Sequence, residues 1–210
     1  MDFLRARTKE QIEQRQLDIM QACDTLFEEG GYENVTIKAI SEMTTLKRSS
    51  IYTYYKTKDE ILLDLLREEL LQWQDEILAC LPNKSTLSKT EFAQMFTEML
   101  MKKDKMLQYY CILYSFLEVN CRVERIIDFK KSIMPILGVL IKLLQSYFPE
   151  YNLSKATLLV EEILAYVLGL YPATHLTDKQ KDAITRSQTG YQAPDFATLC
   201  KHGITSFLQS

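Results

Sequence analysis

Residues 36–58 read TIKAISEMTTLKRSSIYTYYKTK, from Thr36 to Lys58. The spacing predicts a short helix from Thr36 to about Met43 and a second from about Lys47 to Tyr55. Only Thr44–Leu46 separate them, so the pair must turn sharply, as a helix–turn–helix does. On the second helix Ile51 and Tyr55 stand at i and i+4 and face inward. The opposite side carries Ser49 and Thr53, flanked by Arg48 and Tyr52. One guanidinium and several hydroxyls on one exposed face can read base edges in a major groove and hold phosphates.

Charge supports this locally. The whole chain has 210 residues and a net charge of −3, so no global basic field draws it to nucleic acid. Within 36–58, Lys38, Lys47, Arg48, Lys56 and Lys58 stand against Glu42 alone. That leaves +4 in the segment and −7 in the remainder. Charge and spacing by themselves fit a solvated corner of a helical bundle equally well.

Outward from this segment the periodicity stays helical. Ile12, Ile19, Cys23, Leu26 and Phe27 mark one face of a helix from Lys9 to Glu29, which Gly30-Gly31 should end. A long helix runs from Lys58 to about Leu81 and stops at Pro82, and Asn83–Ser88 reads as a polar linker. Further helices are expected at about 89–103, 104–120, 122–147, 154–171, 178–187 and 195–209, with a kink at Pro135. Thr8/Gln11, Thr57/Glu60, Ser88/Glu91 and Thr177/Gln180 have capping-box spacing. Gly (6) and Pro (5) are scarce and no stretch reads as a strand, so the fold class is all-α.

Five cysteines with no CxxC pair, and an N-terminus without an apolar run, point to a cytoplasmic chain with reduced thiols and no signal peptide. The longest apolar runs, Ile133–Ile141 and Ile163–Ala173, are too short to span a bilayer, so no membrane partner is expected. Catalysis is not expected either. His175 and His202 lack metal-ligand spacing, and there is no GxSxG, P-loop or GxGxxG. Glu161 and Glu162 are adjacent on a helix, about 100° apart, and cannot work as one carboxylate pair. No cofactor and no metal are assigned.

The run Ile19, Ala22, Leu26-Phe27, Gly30-Gly31-Tyr32, then Thr36-Ile37 and Ile40, then Ile51-Tyr52, Tyr54-Tyr55-Lys56, Lys58 and Glu60-Ile61-Leu62 resembles the DNA-binding domain of the TetR/AcrR transcriptional regulators. The match covers about residues 10–65. The remainder resembles that family in being helical and of the right length. The resemblance implies a helix-turn-helix domain over 1–57 and a helical ligand-binding and dimerisation domain over 58–210, with helix 58–81 as connector. It implies a repressor released from a palindromic operator by a small apolar or amphipathic effector. An effector-independent architectural DNA-binding protein of the same fold is the alternative.

Carried onto this chain, the resemblance puts Thr36 and Lys58 on phosphates and Tyr52 and Tyr54 on phosphate or sugar. Arg48, Ser49 and Thr53 face bases, and Lys47 and Ser50 complete the contact set. Ile40, Leu46, Ile51 and Tyr55 are core. Arg5, Arg7 and Lys9 read as a solvated arm, with the adjacent minor groove as the alternative. The family's usual turn, Ala-Gly-Val-Ser, is here Thr44-Thr45-Leu46-Lys47. Without the glycine, a non-glycine residue would take positive φ. Lys47 cannot accept a bond from the helix amides as a serine cap would.

Met- and Tyr-rich positions in the second half are plain core or, as the resemblance implies, the wall of an effector pocket: Met99, Met106, Tyr109, Tyr110, Tyr114, Phe129, Met134, Tyr171 and His175. Helices 154–171 and 195–209 are apolar on more than one side. That predicts a homodimer through Leu159, Ile163, Tyr166, Phe196, Cys200 and Ile204, unless both helices lie deep in one chain.

Overall fold

The computed structural model describes residues 8–81 and 87–210. Arg5, Arg7 and linker positions 82–86 lie outside the described residues. Among those described there is no strand, as the periodicity predicts. Packing divides the chain into two compact units. One takes residues through Glu68 together with Ile112–Ser132, the other Glu69–Cys111 together with Ile133–Ser210.

In the first unit α1 spans Lys9–Asn34 and opens on a complete capping box between Thr8 and Gln11. It buries Ile19, Met20, Ala22, Cys23, Leu26 and Phe27 on one face. Helical geometry breaks at Gly30 and Gly31, where Gly31 takes φ 68°, ψ −165°, a region open essentially to glycine alone. The Asn34 side chain then turns back and donates to the Leu26 carbonyl at 2.8 Å, satisfying a group the helix end orphans. A Cβ on Gly30 would meet Asn34 Cβ at 2.8 Å, so glycine there also makes room for that cap.

Two short helices come next, α2 over Ile37–Met43 and α3 over Arg48–Tyr54, then α4 over Lys58–Ala79. Ile40, Leu46, Ile51 and Tyr55 are all buried, as their spacing predicts. Burying side chains of this size contributes roughly 1.5–3 kcal/mol each. The expected helix over 104–120 is instead α6 (Asp104–Cys111), a π-helical turn (Leu113–Leu117) and α7 (Glu118–Asn120). The π turn, α7 and the start of α8 (Val123–Tyr147) complete the first unit.

The second unit holds α5 (Lys89–Met101), α9 (Leu153–Thr174), α10 (Asp178–Ser187) and α11 (Phe196–Gln209), with α6 and the rest of α8. Complete capping boxes open α5 and α10. Phe92 anchors an aromatic cluster, edge-on to Tyr147 and Phe148 at 5.5 and 5.3 Å. Pro135 lies inside α8 without ending it, and Pro172 lies inside α9, which outruns its predicted end by three residues.

The residues expected at a dimer interface are placed differently. Leu159, Ile163, Phe196, Cys200 and Ile204 are buried within one chain. Tyr166 is half-buried, donates to the Leu199 carbonyl at 2.8 Å and fits against Gly203, where a Cβ would lie 2.3 Å from its ring. The reason is geometric. Helix α9 packs against both α6 and α11, so two apolar faces are covered without a second copy. The outward stripe of α9 is Leu158, Glu161, Ala165 and Gly169.

Candidate nucleic-acid interface

The turn between α2 and α3 closes with side chains in place of a glycine. Ser41 Oγ donates to the Leu46 carbonyl at 2.8 Å, and Thr44 Oγ1 accepts from the Leu46 amide at 3.3 Å. Thr44 sits at φ −108° and Lys47 at φ −70°. The expected positive φ is not used by any residue of the turn, and two hydroxyl bonds hold the bend. Lys47 is the N-cap of α3 and makes no side-chain cap bond, as its chemistry requires. Thr36 caps α2 by accepting from the Ala39 amide at 3.0 Å.

Helix α3 presents Lys47, Arg48, Ser49, Tyr52 and Thr53 to solvent, opposite buried Ile51 and Tyr55. Ser50 and Tyr54 are half-buried at its flanks. Thr53 Oγ1 donates to the Ser49 carbonyl at 3.3 Å, which leaves its oxygen as an acceptor. Lys58 is placed otherwise than the phosphate role implies. Its ammonium donates to the Tyr32 carbonyl at 2.7 Å and lies 3.6 Å from the Tyr32 ring centroid. It closes the end of α1 instead of reaching outward.

Behind α3 lies a polar network that the sequence pattern does not announce. Glu60 is fully buried, and its carboxylate accepts from Arg122 Nε at 2.6 Å, Arg122 Nη2 at 2.9 Å and the Lys56 amide at 2.8 Å. The capping box expected at Thr57 is thus half-formed: the Glu60 amide donates to Thr57 Oγ1 at 3.2 Å, while the carboxylate goes elsewhere. Asp64 accepts from Tyr55 Oη at 3.0 Å and from Arg125. Tyr32 Oη donates to Asp59 at 2.7 Å, and its ring packs on Phe116 at 4.7 Å. Burial raises the Glu60 carboxyl, but the Arg122 and Lys56 hydrogen bonds and the guanidinium charge outweigh it and hold the group below its ordinary value. Burial, then the Asp64 charge, push the Tyr55 phenol well up. Glu60 and Asp64 share a helix face, and Arg122 and Arg125 stand at the start of α8, but a partner some sixty residues away has no local signal.

The expected effector pocket is scattered. In the second unit a half-open cleft of about 260 Å³ is lined by Asp104, Leu107, Tyr171, His175 and Phe196, among others. Tyr171 Oη donates to Asp104, and the His175 ring stacks on Tyr171 at 4.0 Å. Of the expected wall only Tyr171 and His175 are among the residues lining it. Met106 and Tyr109 are buried, Met99 and Tyr110 half-buried, and Met134 is exposed. Tyr114, exposed, and Phe129, buried, belong to the first unit. The space among Phe92, Phe96, Leu144, Val160 and Ile163 is about 10 Å³, at most room for one water. Among the described residues no helix is long and apolar enough to cross a membrane.

Known proteins share both parts of this chain. Residues 19–65 match the model described as bacterial regulatory proteins, tetR family, and residues 67–209 match the model described as tetracyclin repressor-like, C-terminal domain. An uncharacterized HTH-type transcriptional regulator, YfiR of Bacillus subtilis, is 30% identical over 63 residues, which is 30% of this chain and 31% of that relative's length. Among solved structures, the fatty acid degradation regulator FadR of Bacillus halodurans aligns over 97% of both chains with a TM-score of 0.56 and 16% identity. FadR of Thermus thermophilus, a TetR family transcriptional repressor in complex with lauroyl-CoA, aligns over 92% of this chain and 93% of its own, with a TM-score of 0.59 and 16% identity. At these identities the structural likeness is one of fold.

Proposed function

This chain belongs to the tetR family of bacterial regulatory proteins, and on that premise we propose that it is a homodimeric repressor of a palindromic operator, released by a small apolar or amphipathic effector. One observation carries the DNA-binding part. Arg48, Ser49, Tyr52 and Thr53 stand exposed on α3 while Ile51 and Tyr55 anchor its other side. A two-fold pair of such helices about 34–36 Å apart would enter successive major grooves. The proposed functional division falls after residue 57, with helix 58–81 as connector, whereas the compact packing units divide after Glu68. The outward stripe of α9, Leu158, Glu161, Ala165 and Gly169, is the surface this reading gives to the partner chain. An acyl chain on a polar head, the ligand class named for the Thermus structure, falls within the proposed effector class.

A second reading has an observation of its own. The near-closed interior between α5, α8 and α9 favours an effector-independent architectural protein of the same fold. The test is a selection of duplex fragments by the wild-type chain, then titration with acyl-CoA thioesters of graded length. Enrichment of a palindrome, with release by one thioester, supports the repressor. Enrichment that no thioester relieves supports the architectural reading, and no enrichment at low salt removes both.

A further inference from the structure

Among the described residues the buried charged side chains are three carboxylates, Asp59, Glu60 and Asp64, and all stand in the first two turns of α4. A buried carboxylate is costly unless fully paired, and apolar residues of similar volume often hold such packing as well or better. Stability alone is therefore a weak reason for this cluster.

The junction these acids join is more specific. The link from α3 to α4 is only Tyr55–Thr57, and two of those residues are gripped: Lys56 by its amide to Glu60, Tyr55 by its hydroxyl to Asp64. Tyr55 is also the C-cap of α3, its own amide donating to the Ile51 carbonyl at 3.0 Å. On their other side the same two acids take Arg122 and Arg125. The backbone that delivers these arginines departs from α geometry twice, at the π turn Leu113–Leu117 and at Cys121, which is extended at φ −87°, ψ 152°. π turns recur at functional positions. The Arg125 guanidinium lies 5.5 Å from the Tyr55 ring centroid, a second contact with the same junction.

We infer that Arg122 and Arg125 are positioning residues for DNA binding: by holding Glu60 and Asp64 they fix, through Lys56 and Tyr55, the orientation in which α3 is presented. The inference rests on the reading of α3 as the DNA-contacting helix. Withdrawal of Arg122 takes the guanidinium from buried Glu60, and withdrawal of Arg125 leaves Asp64 with Arg67 of its own helix at 3.3 Å, so the 55–60 junction relaxes toward water and takes the end of α3 with it.

The experiment uses the full chain, a duplex enriched by wild-type protein from a random pool, and an unselected duplex of equal length. Arg122→Gln, Arg125→Gln and Glu60→Gln should each lower affinity for the selected duplex by about tenfold or more, with little change on the unselected one. Glu60→Gln combined with Arg122→Gln should lose no more than the weaker single variant, because one link is removed twice. Amide exchange over 49–57 should quicken while α1 residues 19–27 keep wild-type rates. Affinities that fall together on both duplexes, or α3 exchange that does not change, overturn the inference. Should a glutamine variant fail to fold, Arg122→Lys keeps the charge without the two-pronged contact and should show the same pattern at smaller size. A wild-type chain that enriches no duplex removes the DNA-binding reading itself, while the exchange measurement still reports separately whether the arginines hold α3.

Discussion

The Cys111 thiol donates to the Leu168 carbonyl at 3.7 Å, the carbonyl that Pro172, four residues on, cannot serve. Proline has no amide hydrogen, so its place in α9 removes one ladder bond and normally ends or bends a helix. Here a sulfur donor from α6 occupies the vacated acceptor, and α9 continues to Thr174. Cys111→Ala should cost about 0.5–1 kcal/mol in urea unfolding, the scale of one modest hydrogen bond. In a Pro172→Ala background, where the helix supplies its own donor, the same change should cost clearly less. Equal costs in both backgrounds would sever the link between the thiol and the proline.

Arg48 and Ile51 sit three residues apart on α3 and should fail in opposite ways. Arg48→Ala touches only an exposed face. It should leave thermal stability within about 0.5 kcal/mol. It should cost roughly 1–3 kcal/mol of discrimination between selected and mismatched duplexes. Ile51→Ala empties a fully buried site and should cost about 2–5 kcal/mol of folding stability. Calorimetry and duplex titration on the pair check this. An Arg48→Ala variant that melts early would place that side chain in the fold and not at the interface.

Lys58 gives a sharper choice, because its ammonium is already engaged with the Tyr32 carbonyl and ring. Lys58→Ala should lower the unfolding midpoint and quicken exchange at the end of α1, while the salt dependence of duplex binding keeps its slope. If stability is unchanged and the slope falls by about one, the lysine acts as a phosphate contact instead.

Local signals are the legible ones in this chain. The inward set Ile40, Leu46, Ile51 and Tyr55 comes from spacing alone, since burial is a local, periodic signal. Three capping boxes are local too, and form where their spacing predicts. Thr57/Glu60 departs because a distant arginine competes for the carboxylate. The expected end of α9 at 171 falls short for the same reason, since the donor that lets the helix run past Pro172 comes from Cys111, far off in sequence. Apolar faces on α9 and α11 state that cover is needed and not who supplies it. The expected effector wall rests on composition, and composition carries no position.

Acid sensitivity arises from Glu60. Its carboxyl lies below the ordinary 4.5 in the folded chain because Arg122 and the Lys56 amide outweigh burial. The unfolded chain then binds more protons than the folded one across that interval, so stability rises with pH there. The contribution is complete above about 4.5 and is lost as pH falls through the lowered folded value. Glu10, Glu91 and Asp195, held low by their local cap hydrogen bonds, act in the same direction from exposed sites. Glu60→Gln should therefore flatten, without abolishing, the fall in stability below pH 4.5. Chemical denaturation at stepped pH measures it, and an unchanged acid limb would detach Glu60 from the effect.

The outward stripe of α9 separates packing from assembly. Leu159 and Ile163 are buried within the chain, so Leu159→Glu should unfold the protein and say nothing of its partners. Leu158 is half exposed, and Glu161, Ala165 and Gly169 lie further along the same face, where a Cβ added to Gly169 meets nothing. The small residues Ala165 and Gly169 let a second helix approach closely, and a two-fold axis near them would bring identical stripes together with Glu161 toward the rim. Leu158→Glu with Ala165→Arg should accordingly leave a folded chain, with its helical signal and melting intact. Sedimentation at micromolar concentration should show it as monomer where the unaltered protein is dimer. Affinity for a palindromic duplex should drop steeply, since each half-site then binds alone and loses the gain of linked binding. Affinity for a single half-site should hold, because α3 and the Arg122/Glu60 pair behind it are untouched. A wild-type chain that sediments as monomer would refute the dimer outright, and a double variant that stays dimeric would move the partner surface away from α9.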